Sequence, residues 1–218
     1  MSSLALMFVG SVLLCNGLGL LNLLTPKATA PVNAFIGSTL IVTVLVQILS
    51  STGTSVEQLD IVLGVTGFLL FGFTYLYVAF NNFGTLPGEG LGWYCGWAAI
   101  ISTFLAAVNF ARFSDIKFGF IWISWVVLFS AFFAILAMGC DWLARPTGWL
   151  AVLQAFTTTT IPGALQLTGD WGRVNSTSVV FVQIFVLIIF FILAARARQT
   201  HRTRSSTNTD RTSELQRQ

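Results

Sequence analysis

Charge is what this chain has least of. Only 9% of its 218 residues are Asp, Glu, Lys or Arg, while 55% are hydrophobic and the mean hydropathy is +0.81. A soluble domain carries about 25% charged residues, so composition alone indicates an integral membrane protein. The charges fall between, beyond or at the very ends of the long apolar runs, and no charged side chain is read in the interior of a span. Ion- and proton-coupled transporters and pumps usually keep a buried carboxylate, His or Lys to hold the ion in a low-dielectric core. Their lack favours passive movement of a neutral solute. Sodium can instead be held by backbone carbonyls and hydroxyls, which keeps an ion-coupled small-solute (amide) transporter as the alternative. A retinal Schiff base needs a lysine in the interior of a span, and none is read there.

Histidine is nearly missing too. The single His201 falls in the C-terminal tail, there is no HExxH and no Gly-rich phosphate loop. A Ser–His or Cys–His pair within the membrane is therefore excluded, the chain is expected not to be an enzyme, and no cofactor is implied. The three cysteines, Cys15, Cys95 and Cys140, lack metal-type spacing, which argues against a zinc site or a disulfide framework. The N-terminus has no basic residues, and its apolar run continues to about Leu24, longer than a signal-peptide core. It is read as a retained first span.

What is present is a set of apolar windows, each about long enough for the ~20 helical residues that cross a hydrocarbon core. They run roughly over Leu4–Leu24, Val32–Leu49, Leu59–Phe80, Leu91–Ala111, Lys117–Met138, Gly148–Leu167 and Val179–Ala195. The expectation is an all-α protein of seven transmembrane helices, since the short alternating segments of a strand barrel are missing. Connectors carry breakers: Pro26 and Pro31, Gly53, Pro87 with Gly88 and Gly90, Ser114 and Asp115, Pro146 with Gly148, and Gly169 to Gly172. One set of helix ends holds Lys27, Arg145, Arg196, Arg198, Arg202, Arg204, Arg211 and Arg217; the other holds only Arg112, Lys117 and Arg173. The positive-inside rule then places the tail in the cytoplasm and the N-terminus outside. Beyond Ala195 the Ser/Thr/Arg/Gln-rich tail shows no apolar periodicity and is read as disordered. Asn175-Ser176-Thr177 matches a glycosylation acceptor, relevant only in a eukaryotic secretory pathway.

The polar and aromatic residues within the spans form stripes. GFLLFGFTYLYVAFNN, from Gly67 to Asn82, places Phe68, Phe71, Tyr75 and Asn82 along one side of a helix and Phe73, Tyr77 and Phe80 toward another. The first helix aligns Leu6, Val9, Leu13 and Asn16, with Gly10 and Gly17 allowing a close neighbour. The fifth carries an aromatic seam of Phe118, Trp122, Trp125, Phe129 and Phe132. Trp93, Trp142, Trp149 and Trp171 suit the membrane–water interface. The sixth has Gln154, whose amide needs partners away from water, and Thr157 to Thr160, whose hydroxyls can bond back to their own backbone ahead of Pro162. Asn33 and Asn109, nearer helix ends, are read as interfacial. Each stripe is open to two readings: plain helix packing, or the wall of a path for a small, flat, uncharged solute. A structural or receptor-like protein with packed aromatic faces belongs to the first.

LMFVGSVLLCNG, GFLLFGFTYLY, IWISWVVLF and GWLAVLQAF…IPGAL together resemble the AmiS/UreI family of urea and short-amide channels, over the stretch to about Trp171. The resemblance implies six-helix protomers, each with its own pore, in a hexameric ring in the bacterial cytoplasmic membrane. It implies a pore lined here by Leu6, Val9, Leu13, Phe71, Tyr75, Trp122, Trp125, Leu128 and Phe129. The chain then divides into a channel bundle over 1–171, an additional helix over 172–195 and a basic tail over 196–218. The resemblance is incomplete in three places. The family's acid-gated type closes through histidines and carboxylates in long periplasmic loops, whereas these loops are short and lack histidine, so acid gating is not expected. Phe129 and Gln154 stand where that type has a tryptophan and a glutamate. The seventh helix has no counterpart in six-helix members. The expected function is a passive channel for urea or small aliphatic amides, the permeant exchanging hydrogen bonds with Tyr75, Asn16 and a Trp N–H. Urea and amides present the same planar group, and the sequence does not separate them.

Overall fold

The computed structural model describes residues 2–52 and 54–215. Gly53 and Arg217 lie outside the described residues. Among the described residues every regular element is helical: α1 (Ser2–Leu20), α2 (Pro26–Leu49), α3 (Ser55–Gly84), α4 (Glu89–Ala111), α5 (Ile116–Leu136), α6 (Ala144–Gln154), α7 (Ile161–Leu167) and α8 (Ser176–Leu215). A π-helical turn, Ala155–Thr160, joins α6 to α7, and single 3₁₀ turns precede α6 and α8. Six of these helices are long and apolar enough to cross a membrane: α1 to α5 and the Ser176–Thr203 part of α8. The sixth expected window, Gly148–Leu167, is helical throughout but divided by the π turn into α6 and α7.

Helix ends follow local chemistry. Thr25 caps α2 by accepting from the Ala28 N–H, with Pro26 occupying the first helical position, where no N–H is needed. Thr54 and Glu57 form a reciprocal capping box at α3, and the Asp115 carboxylate accepts from the Phe118 N–H at 3.0 Å to start α5. Thr85, at φ 51°, ends α3 in the left-handed region.

Three boundaries differ from expectation. Pro31 lies inside α2 rather than in the connector. α3 begins at Ser55 rather than near Leu59, because the capping box starts it there, so Glu57 joins Asp60 in its first turns; Asp60 is ion-paired with Arg112 at the end of α4. The tail is not irregular: α8 continues to Leu215. Ala194 to Gln199 are good helix formers without Gly or Pro, and Thr200 and Thr203 bond back to carbonyls four residues earlier, so nothing interrupts the ladder.

Packing joins α2 to α3 and α4 to α5 as close hairpins, sets α1 against α6, the π turn and α7, and lays α8 on α5 and α6. Small residues permit this. A Cβ at Gly17 would stand 2.8 Å from the Gly148 carbonyl, and one at Gly37 3.0 Å from the Gly72 carbonyl, so backbones cross almost in contact. Ala5, Leu6, Val9, Val12 and Leu13 of α1 are buried, an i, i+3, i+4 stripe facing the bundle. Outward, large apolar side chains such as Phe35, Phe80, Phe104 and Phe185 are exposed, as lipid-facing residues are.

Candidate functional site

The bundle centre is built around Phe71, one helical turn before Tyr75. Its ring stacks on Tyr75 at 5.8 Å, Phe129 at 5.4 Å and Trp122 at 6.1 Å, and meets Trp125 edge-on at 4.8 Å. Trp122 and Trp125 are perpendicular at 4.6 Å. The spacing of the α5 seam produces this: residues 122, 125 and 129 share one face, and α3 offers Gly67 opposite Trp122, where a Cβ would lie 2.4 Å from the indole. On α3, Phe71 and Tyr75 are buried whereas Phe73 and Phe80 are exposed, and Tyr77 packs on Tyr94 of α4.

Two cavities meet at this ring cluster, and Phe71 borders both. The larger, about 320 Å³, lies toward the end where α1, α3 and α5 begin, and is bordered by Leu6, Val9, Phe68, Trp122 and Trp125. The smaller, about 30 Å³, is bordered by Leu13, Asn16, Thr74, Tyr75, Leu128 and Phe129. At the opposite end an open recess of about 560 Å³ is bordered by Thr25, Lys27, Asn81, Asn82 and Thr85. Among the described residues no Asp, Glu, Lys, Arg or His borders either inner cavity. The sequence-derived positions Leu6, Val9, Leu13, Asn16, Phe71, Tyr75, Trp122, Trp125, Leu128 and Phe129 are thus brought together around one line of cavities.

The hydrogen bonds sort the polar groups into free and committed. Tyr75, 2% exposed, has a buried hydroxyl with no partner beside the smaller cavity. The Trp125 N–H is committed: it donates to Thr158 Oγ1 at 3.1 Å, and that hydroxyl donates to the Gln154 carbonyl. Trp122, on the larger cavity, makes no hydrogen bond among the described residues. Asn16 and Asn33 exchange reciprocal amide bonds at 2.9 and 2.7 Å, and Asn33 also donates to the Thr29 carbonyl. Asn33 is therefore a fully buried interhelix partner, not an interfacial residue, because α2 starts six residues earlier than its apolar window and carries Asn33 inward.

Gln154 borders neither inner cavity. It is fully buried between helices, its Nε2 donating to the Ser124 carbonyl at 2.9 Å. Ser124 Oγ donates to Gln183 Oε1 at 2.8 Å, and Gln183 Nε2 donates to the Thr157 carbonyl at 3.1 Å. A π turn shifts backbone pairing and frees carbonyls; here α8 supplies a partner to one of them. Thr157, Thr158 and Thr159 bond back four residues and Thr160 five, as their run before Pro162 leads one to expect.

Gln47, Asn109 and Gln166 also border the larger cavity, and residue patterns alone do not single out Gln47 or Gln166. Each is a lone amide near a helix end, with no aromatic stripe to mark it.

An amidate-substrate transporter candidate of Mycolicibacterium smegmatis is 37% identical over 171 residues, covering 78% of each chain. The acid-activated urea channel of Helicobacter pylori is 32% identical over 197 residues, covering 78% of this chain and all of the relative. The cryo-EM structure of the Helicobacter pylori urea channel in its closed state superposes with a TM-score of 0.70 at 31% identity, over 78% of this chain and all of that one. Residues 1–170 match the family described as AmiS/UreI family transporters, a stretch that ends before α8, and the chain belongs to that family.

Proposed function

We propose that the chain is a passive channel for urea and small aliphatic amides, with the path running through the two inner cavities past Phe71. The observation that carries this reading is the pair of uncharged cavities meeting at a cluster of ring faces, with an unpartnered Tyr75 hydroxyl beside it. A flat neutral amide slides between rings and takes a hydrogen bond from Tyr75, and from Trp122 on the wider side. A hydrated ion finds nothing there to replace its water. Because Trp125 is held by Thr158, the permeant's indole donor is Trp122, and Trp125 shapes the constriction. Asn16 contributes only the amide hydrogen and the oxygen lone pair left by its pairing with Asn33.

The relatives' names divide between amidate transport and urea conduction, which supports the shared planar group as the recognised chemistry. Connectors 50–54, 85–88, 112–115 and 168–175 contain no histidine. We therefore take the channel to lack acid gating. We also take α6, the π turn and α7 as one crossing, giving seven, and the assembly as the hexameric ring of the family, in a bacterial cytoplasmic membrane with the N-terminus outside.

Proteoliposomes test this directly. Urea and acetamide are expected to equilibrate faster than in empty vesicles, equally at pH 5 and pH 7.5, without accumulating against a gradient. Equilibration no faster than in empty vesicles sinks the reading, and uphill accumulation driven by sodium or protons replaces it with coupled transport.

A further inference from the structure

The larger cavity holds amide donors that the ring cluster does not explain. The Nε2 groups of Gln47 and Gln166 are buried and make no hydrogen bond, and both residues border the same cavity, Gln47 from the end of α2 and Gln166 from the end of α7. A sealed, unpaired donor is unfavourable unless something completes it. Gln166 is also oriented: Ser3 Oγ donates to its Oε1 at 3.0 Å, leaving its NH₂ as the unused end. Asn109 on the same wall is turned the other way, its Nδ2 donating to the Leu105 carbonyl at 2.8 Å, which leaves Oδ1 as an acceptor.

We propose that Gln47, Gln166 and Asn109 form a capture site for primary carboxamides bearing a short alkyl chain, at the entrance before the Phe71 constriction. With their terminal amides turned into the cavity, the two glutamine NH₂ groups donate to the ligand's carbonyl oxygen, and Asn109 Oδ1 accepts from its NH₂. The rest of the wall there, including Leu63, Val65, Phe68, Phe113 and Phe118, is apolar and receives the alkyl chain. A volume of about 320 Å³ lies at the lower end of the range for ligand pockets and exceeds what one urea fills. Urea, polar at every edge, leaves that apolar wall uncovered, so an alkyl amide is held better. A carboxylate, the hydrolysis product of an amide, meets no cation on this wall and is excluded. The site deepens the amide-channel reading and rests on it.

The test compares the full-length protein with Gln47→Met and Gln166→Met, which keep side-chain length and remove the donors, and Gln166→Glu, which keeps the Ser3 acceptor. In proteoliposomes, butyramide is expected to show half-saturation below that of urea, raised about threefold or more in each variant. Half-saturation unchanged in all variants, or urea saturating before butyramide, overturns the proposal. Saturation-transfer NMR on the detergent-purified protein reads butyramide binding without flux: the signal is expected in wild type, weaker in the variants and undetectable with butyrate. Equal signals in wild type and the Gln47→Met/Gln166→Met variant overturn the site. A butyramide signal that depends on both glutamines, with no flux of any solute, keeps the site and removes the channel reading. Monodisperse elution at the wild-type volume establishes that each variant is folded.

Discussion

At the scale of single residues, the decisive distinction is between polar groups whose bonds are filled and those left open. Tyr75 and Trp125 are neighbours in the ring cluster, yet the Tyr75 hydroxyl has no partner and the Trp125 N–H is tied to Thr158. Removing an unpaired buried hydroxyl relieves a desolvation penalty and breaks no bond. Tyr75→Phe is therefore expected to keep or raise thermal stability, by up to about 1 kcal/mol, while lowering urea and acetamide flux; unchanged flux would assign the hydroxyl no part in permeation. Gly67 gives a steric counterpart. With its ideal Cβ 2.4 Å from the Trp122 ring, Gly67→Ala must push that indole toward the larger cavity. The expected cost is about 1–3 kcal/mol of overpacking, read as a lower melting temperature together with reduced flux. The buried aromatics of α3 and α5 were legible in the sequence because three- and four-residue spacing fixes which side chains share a face. The commitment of Trp125 was not, since Thr158 is 33 positions away.

At the scale of elements, the π turn between α6 and α7 is the irregular piece, and α8 is bound to it. Four threonines bonding backward, followed by Pro162, weaken the ordinary ladder at Ala155–Thr160. Gln183 then links the Thr157 carbonyl to Ser124, beside Trp125 in the seam. Gln183→Leu removes both bonds and leaves Ser124 Oγ and a carbonyl unpaired in an apolar surround. Hydrogen bonds between membrane helices average about 0.6 kcal/mol and reach about 1.7, so a loss of roughly 1–2 kcal/mol is expected, measured as a lower midpoint in detergent unfolding. If Gln183→Leu melts like wild type, the polar bridge contributes nothing net. A run of threonines before a proline signals a softened helix in any sequence. That Gln183 of a different helix meets it depends on how α8 docks.

At the scale of the whole molecule, charge distribution and packing bear on different questions. Lys27, Arg145, Arg196, Arg198 and Arg202 gather at one end, while Arg112, Lys117 and Arg173 sit at the other, where Lys117 donates to the Trp171 carbonyl at 2.7 Å and lies over its ring. The positive-inside rule leads us to expect the α8 tail on the cytoplasmic side. Protease added to inverted membrane vesicles is expected to remove a C-terminal epitope, and protease added to right-side-out spheroplasts is expected to spare it. The reverse pattern would invert the topology.

The sequence by itself determined that this is a helical membrane protein with few buried charges, where most of its spans lie, and which aromatic faces share a helix. Those follow from local hydropathy and from the fixed 3.6-residue turn. Only the tertiary structure decided which polar side chains are satisfied. It paired Asn16 with Asn33, turned Gln154 away from the cavities, committed Trp125 to Thr158, and left Tyr75, Gln47 and Gln166 open. A hydrogen bond between helices requires two groups far apart in sequence to arrive within about 3 Å. That is set by crossing geometry at small residues such as Gly17 and Gly148, not by the composition of either helix.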